Sequence, residues 1–125
     1  MDSKIDRLVV ALRERVGDGL RGVFYGKFRE REYSVAYTSE EALDDYSAEQ
    51  IDDIIDDVAF KNLHSDRKAD LHEPLGRYTT SVEVFDDGIN LVVLGYDGLP
   101  TVFVGMDSDV SNVTPALEAV ESVLE

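Results

Sequence analysis

The chain has no cysteine and no tryptophan, and among its 125 residues only three are proline and four are lysine. Without cysteine there is no disulfide, no thiol nucleophile and no thiolate-bound zinc. No apolar run approaches the roughly 18 residues that a membrane-spanning helix needs, and the first 16 residues are charged throughout, without the apolar segment of a secretory signal. A soluble, cytoplasmic protein is expected, with no membrane partner. A Gly-rich phosphate loop and a GxSxG nucleophile elbow are also missing, so phosphate-binding and acyl-transfer chemistry lack their usual local signatures.

What the chain has in excess is carboxylate. Twenty-seven acidic residues face 12 basic ones for a net charge of −15, yet hydrophobic residues make up 43% of the sequence. That composition suits one folded domain with its own core rather than a disordered acidic tail. Asp (16) outnumbers Glu (11), and Arg (8) outnumbers Lys (4). Acids spread in this way keep a surface hydrated in molar salt, where the Debye length falls to about 3 Å and like charges barely repel. The expectation is a halophile's cytoplasm. The charge is uneven, however: residues 1–31 hold eight bases and five acids, a local net of +3, which leaves −18 for the other 94 residues.

Periodicity gives the elements. Ile5, Leu8, Val9, Leu12 and Val16 recur at helical spacing, and Gly17 is placed to end that helix. "GLRGVFYG" (19–26) reads as a strand, and in "EYSVAYTS" (32–39) Tyr33, Val35 and Tyr37 alternate with Ser34, Ala36 and Thr38 as in a half-buried strand. "KFRERE" is the hairpin between them. After a short helical piece, "SEEALDDY" (39–46), a longer helix begins at a capping box of Ser47 and Gln50, with Tyr46 placed to staple onto Ile51. Ile51, Ile54, Ile55, Val58 and Ala59 form its inward stripe. A polar connector, "HSDRKADLHEPLG" (64–76), leads to three strands, "RYTTSVEVF", "INLVVLG" and "LPTVFVG", separated by the turns "DDG" (86–88) and "YDG" (96–98). A last helix has Thr114 as N-cap and Pro115 at its first position, with Leu117, Val120 and Val123 or Leu124 on one face. The order α-β-β-α-β-β-β-α implies an α+β domain, 1–125, with a five-stranded antiparallel sheet and flanking helices.

Several clusters invite a chemical reading. "DDIIDD" (52–57) contains DDxxD, the pattern with which prenyl-diphosphate enzymes hold magnesium. Those sites need several acidic helices around an apolar cavity and bases for the phosphates, whereas here the aspartates fall on the flanks and back of one helix, so a solvated face is expected. In "MDSDVSNVTPALE" (106–118), Asp107, Asp109, Ser111 and Glu118 match positions of a calcium loop, but Asn112 stands where the turn requires glycine and Pro115 interrupts it. A strand-to-helix loop with capping acids explains the same letters. His64, Asp66, Asp70, His72 and Glu73 have the right donors for zinc or ferrous iron, but in a connector they lack the rigid support that metal histidines use. No metal, cofactor or catalytic residue is assigned.

The basic feature is the hairpin, with Arg21 on its first strand and Lys27, Phe28, Arg29 and Arg31 at its tip. Cations beside an aromatic suit an anionic partner or a nucleic acid, but Glu30 and Glu32 interleave, and nucleic acid is the less favoured partner. Val23, Phe24 and Tyr25 run consecutively, so at least one points away from the face that becomes core. Arg21, Phe24, Phe28, Arg29 and Arg31 are therefore the candidate partner-binding residues.

Two resemblances follow. The element order resembles the roadblock/LC7 domain, and "EVFDDGINLVVLGYDGLPTVFVGMD" with the final helix is similar to that family's second half. The stretch "VGDGLRGVFYGKFREREYSVAYTSEEALDDYSAEQIDDIIDDV" resembles a family of small uncharacterised haloarchaeal proteins, which share an LR-x-V opening strand, a Tyr-centred second strand and a Tyr-Ser-x-Glu helix start. The roadblock resemblance implies a homodimer, paired through a helix or a sheet edge, and a platform for a protein partner such as a small GTPase. The expected function is thus a non-enzymatic interaction or regulatory module. Two alternatives stand beside it: a ligand-binding domain or enzyme with a pocket on the sheet face, lined by Tyr33, Tyr37 and Tyr78 with His64 or His72 above them, and nucleic-acid binding through the 21–31 hairpin.

Overall fold

A computed structural model describes residues 3–27, 30, 32–40, 42, 47–76, 78–94 and 100–124. The chain runs α1 (Ser3–Arg15), β1 (Leu20–Lys27), β2 (Glu32–Thr38), α2 (Ala48–Leu71), β3 (Thr80–Phe85), β4 (Gly88–Val93), β5 (Thr101–Met106) and α3 (Val113–Leu124). The strands form one antiparallel sheet in the order β2-β1-β5-β4-β3. This is the α+β architecture expected from the alternation of periods. The hairpin β1–β2 and the meander β3–β4–β5 meet where β1 pairs with β5.

Because β2 and β3 lie at opposite edges, the connection between them has to cross the sheet, and α2 does so. Its 24 residues at about 1.5 Å each reach about 36 Å, against about 19 Å for four strand spacings. The expected connector at 64–76 is therefore mostly helix. Neither glycine nor proline occurs between Ser47 and Glu73, so nothing in the backbone stops α2 before Pro74 and Gly76. His64, Asp66 and Asp70 ride on the helix, while His72 and Glu73 lie in the turn after it. At its start the capping box is formed in both directions: the Ser47 amide donates to Gln50 Oε1 at 2.8 Å, and the Gln50 amide donates to Ser47 Oγ at 3.2 Å. Tyr46, most of the "SEEALDDY" piece and the "YDG" turn lie outside the described residues. The Ser39 hydroxyl accepts from the Ala42 amide, a contact that starts a helical turn there.

Each sheet face has its own core. On one, Ile5, Leu8, Leu12 and Val16 of α1 and its end, with Ala116, Ala119, Val120 and Leu124 of α3, bury Leu20, Val23, Ile89, Leu91, Val93, Val102, Val104 and Met106. On the other, Ile55 and Val58 of α2 pack against Val92, Leu94 and Phe103, with Phe24, Ile51, Ile54 and Tyr78 partly buried around them. Gly17 ends α1 with φ of +68°, the left-handed position assigned to it. The start of α3 differs from expectation. Thr114 is inside the helix, which continues from a 3-10 turn (Val110–Asn112) capped by Asp109.

Two irregularities shape the sheet. Between Leu20 and Gly22, β1 has one residue more than β5, and the extra one is Arg21. Between Val23 and Phe24 the pairing on β2 jumps from Tyr37 to Val35, so Ala36 is extra. This second bulge changes the reading of β2. Val35 pairs with Phe24 on the α2 side, whereas Tyr37 pairs with Val23 on the α1 side, where Arg13 lies 5.2 Å from its ring centroid. Strict alternation would have kept the two on one face.

Candidate functional site

The acidic motifs resolve into local structure. Asp52, Asp53, Asp56 and Asp57 are exposed while Ile55 between them is buried, the arrangement of a hydrated helix flank. In the loop before α3, Asp107 Oδ1 accepts from the Asp109 amide at 3.1 Å and from Asn112 Nδ2 at 2.8 Å. Asp109 Oδ1 accepts from the Ser111 amide at 3.0 Å and the Ser111 hydroxyl at 2.6 Å. The hydrogen bonds from Ser111, side chain first, hold the Asp109 carboxyl below its ordinary value. These are capping acids.

One feature with room for a partner or ligand is a cavity of about 620 Å³ between the sheet and the first turns of α2. It exists because two adjacent rows of the sheet differ. In one, Phe24, Phe103 and Val92 are cross-strand neighbours whose side chains pack toward α2. In the next, Gly22 pairs with Gly105 and Gly105 with Asn90, so β1 and β5 present bare peptide there. Phe24 and Phe103, stacked with centroids 5.6 Å apart, make one wall. Ile51 and Ile54 of α2, with Ala42, lie on the helix side. Val35 and Thr38 close the β2 end, and Phe85 with the Asp86–Asp87 turn closes the β4 end.

Two bulges at one cavity are informative, because an extra residue re-aims the side chains beside it. One turns Arg21 to the cavity rim, and the other leaves Val35 on the cavity side while Tyr37 goes to the opposite core. Among the described residues, the lining is chiefly apolar with a few polar groups at its rim, the usual composition of a small-molecule site.

Residues 6–125 match the family model described as "Domain of unknown function (DUF7522)". The chain belongs to that family. Curated proteins give no match. Among solved structures, the gliding protein MglB from Thermus thermophilus is similar over 98% of this chain and 90% of that one, with 14% identity and a TM-score of 0.57. At that identity the likeness is one of fold. The DUF7522 chain has a roadblock/LC7-like fold, with its five-stranded antiparallel sheet between helices.

Within this fold the residues singled out from sequence separate. Arg21 and Phe24 both line the cavity, and Phe24 is half-buried, in contact with Phe103 and, at 6.3 Å between centroids, with Tyr33. Phe28, Arg29 and Arg31 lie outside the described residues. The tyrosine-lined pocket is not formed as expected. Tyr37 belongs to the opposite face, Tyr78 packs into the α2 core, His72 is exposed at the far end of α2, and none of them, nor Tyr33, lines the cavity. Gly22, Gly105 and Asn90 went unnoticed in the sequence, although two glycines inside strand patterns are a recognised sign of a close approach. No helix among the described residues is long and apolar enough to cross a membrane.

Proposed function

We propose that the chain is a non-enzymatic interaction module that works as a homodimer and docks a protein partner. The observation that carries this reading is the apolar edge of the sheet. β3 ends the strand order, and its Val82, Val84 and Phe85 are 41%, 61% and 56% exposed. An apolar edge strand is a template for pairing with another strand, and proteins ordinarily charge it or cover it. Two copies related by a two-fold axis would cover it by laying β3 against β3, an isologous contact that closes after two subunits. The roadblock-like fold supports the same reading, since that resemblance implies homodimers.

Docking is assigned to the basic hairpin, where Arg21, Phe24, Phe28, Arg29 and Arg31 belong to the net-positive N-terminal quarter of a net-negative chain. A small GTPase is the partner class that the roadblock resemblance implies. The acid excess suits a salt-rich cytoplasm, so the assembly is to be measured there.

The test is solution mass by light scattering in molar potassium chloride for wild type, Val84→Arg and, as a surface control, Val110→Arg. Wild type and Val110→Arg at twice the chain mass, with Val84→Arg at the chain mass, support the reading. A wild type that stays monomeric at every concentration overturns it, and a Val84→Arg dimer removes β3 from it.

A further inference from the structure

We propose that the cavity between α2 and the sheet is a binding site for a flat, largely apolar small molecule, neutral or cationic, that offers a hydrogen-bonding edge to Asn90. The inference rests on the cavity and what converges on it. A volume of about 620 Å³ lies within the range of small-molecule sites, roughly 300–1,000 Å³. Interiors are otherwise packed almost without voids, and the opposite face of this sheet is filled by α1 and α3. The space is not forced by the backbone. A β-carbon on Gly105 would meet Phe103 Cε1 at 3.8 Å, Asn90 Oδ1 at 3.9 Å and the Gly22 amide nitrogen at 3.9 Å, and one on Gly22 would meet the Tyr37 carbonyl oxygen at 3.6 Å. These are ordinary contacts, so a β-carbon would be accommodated at two positions where the chain keeps none.

Shape and charge set the ligand class. The floor is the peptide surface of two paired strands, the helix side is Ile51 and Ile54, and the wall is a pair of rings inclined by only 16°. A planar molecule can lie with one face on the glycine peptides and the other under the isoleucines. Asn90, whose carboxamide oxygen stands beside the Gly105 position, offers both a donor and an acceptor to its edge. At the rim, Arg21 is outnumbered by Asp86 and Asp87 on a chain of net charge −15. A phosphate or polycarboxylate would be repelled, whereas a neutral or cationic ring system would not.

The cavity and the dimer edge share Phe85, but they are separable at Val84, which pairs with Ile89 on the other face of the sheet and does not line the cavity. The proposal is tested by fluorescence titration with three planar probes, neutral Nile red, cationic proflavine and anionic pyrene sulfonate, against wild type, Gly105→Val, Asn90→Leu and Val84→Arg. The expected result is saturable binding of the first two at one site per chain, with the sulfonate weaker. Gly105→Val should weaken both by at least about tenfold, the scale on which added methyl groups discriminate in an apolar pocket, without lowering the melting temperature. Asn90→Leu should weaken proflavine, whose ring amines meet the carboxamide, by about tenfold, and Val84→Arg should change nothing. Absence of saturable binding to wild type overturns the site, as does Gly105→Val binding both probes as well as wild type.

Discussion

On the α1/α3 side of the sheet, Leu20, Val23, Ile89, Leu91, Val93, Val102, Val104 and Met106 are buried in one cluster with α1 and α3, and Ile5, Leu8, Leu91, Val102 and Val104 are wholly buried. The edge strand β3 leaves Val82 and Val84 of this face exposed. On the α2 side the same strands present Phe24, Phe103 and Val92 to one helix and then a row of Gly22, Gly105 and Asn90 to open space. The strands are shared, so the difference is not one of backbone. Among the described residues it lies in whether one long helix or the pair α1 and α3 covers the face, and in which side chains the shared strands spend on it. One face holds the fold together, and the other keeps room within it.

The sharpest way to break this comparison is to remove volume from the filled face. Leu8 is fully buried among sheet residues, and Leu8→Ala should cost about 2–5 kcal/mol by urea denaturation, the usual range for a leucine truncated in a packed core. A loss under about 1 kcal/mol would mean that the α1/α3 side also has slack, and the contrast between the faces would fail.

Adding volume should act oppositely on the two sides. Ala119 is fully buried in the α1/α3 core, and Ala119→Leu should destabilise by about 1–3 kcal/mol through overpacking. Gly105→Val places its β-carbon at ordinary contact distances, on a residue that lines the cavity. It also restricts the unfolded chain, so its expected effect is from none to about 1 kcal/mol of stabilisation. Equal losses from the two substitutions in the same denaturation series would show that the cavity has no usable space.

The filled face was also the more legible in the sequence. Ile5, Leu8 and Leu12 of α1 and Val120 and Leu124 of α3 recur at helical spacing, a local signal that is met in the structure. The cavity depends on cross-strand relations that no local pattern contains. Gly22 and Gly105 are 83 positions apart in the chain, and they become partners only because β1 pairs with β5 in one register. The Ala36 bulge was equally hidden, since "EYSVAYTS" alternates cleanly in letters and only its pairing with β1 shows the slip that sends Tyr37 to the other face. The polar 64–71 stretch read as a connector because its amphipathic signal fades, whereas the lack of glycine and proline lets α2 run on.

The smallest expected effect concerns how the two faces acquire their helices. α2 starts from a neutral capping box, while α3 follows a turn held by a charged cap, the Asp109 carboxylate accepting from the Ser111 hydroxyl and amide. Those hydrogen bonds lower the Asp109 pKa in the folded chain. Their contribution is therefore fully present above the unfolded value, near 3.9, and is lost as the pH falls through the lowered folded value. Asp109→Asn keeps an acceptor without the charge. Its melting temperature should fall slightly short of wild type at neutral pH, and the gap should close on acidification below about pH 4. A gap that persists unchanged in acid would show that the Asp109 charge contributes nothing to the turn leading into α3. The α1/α3 face would then acquire its helix, as the α2 face does, without help from charge.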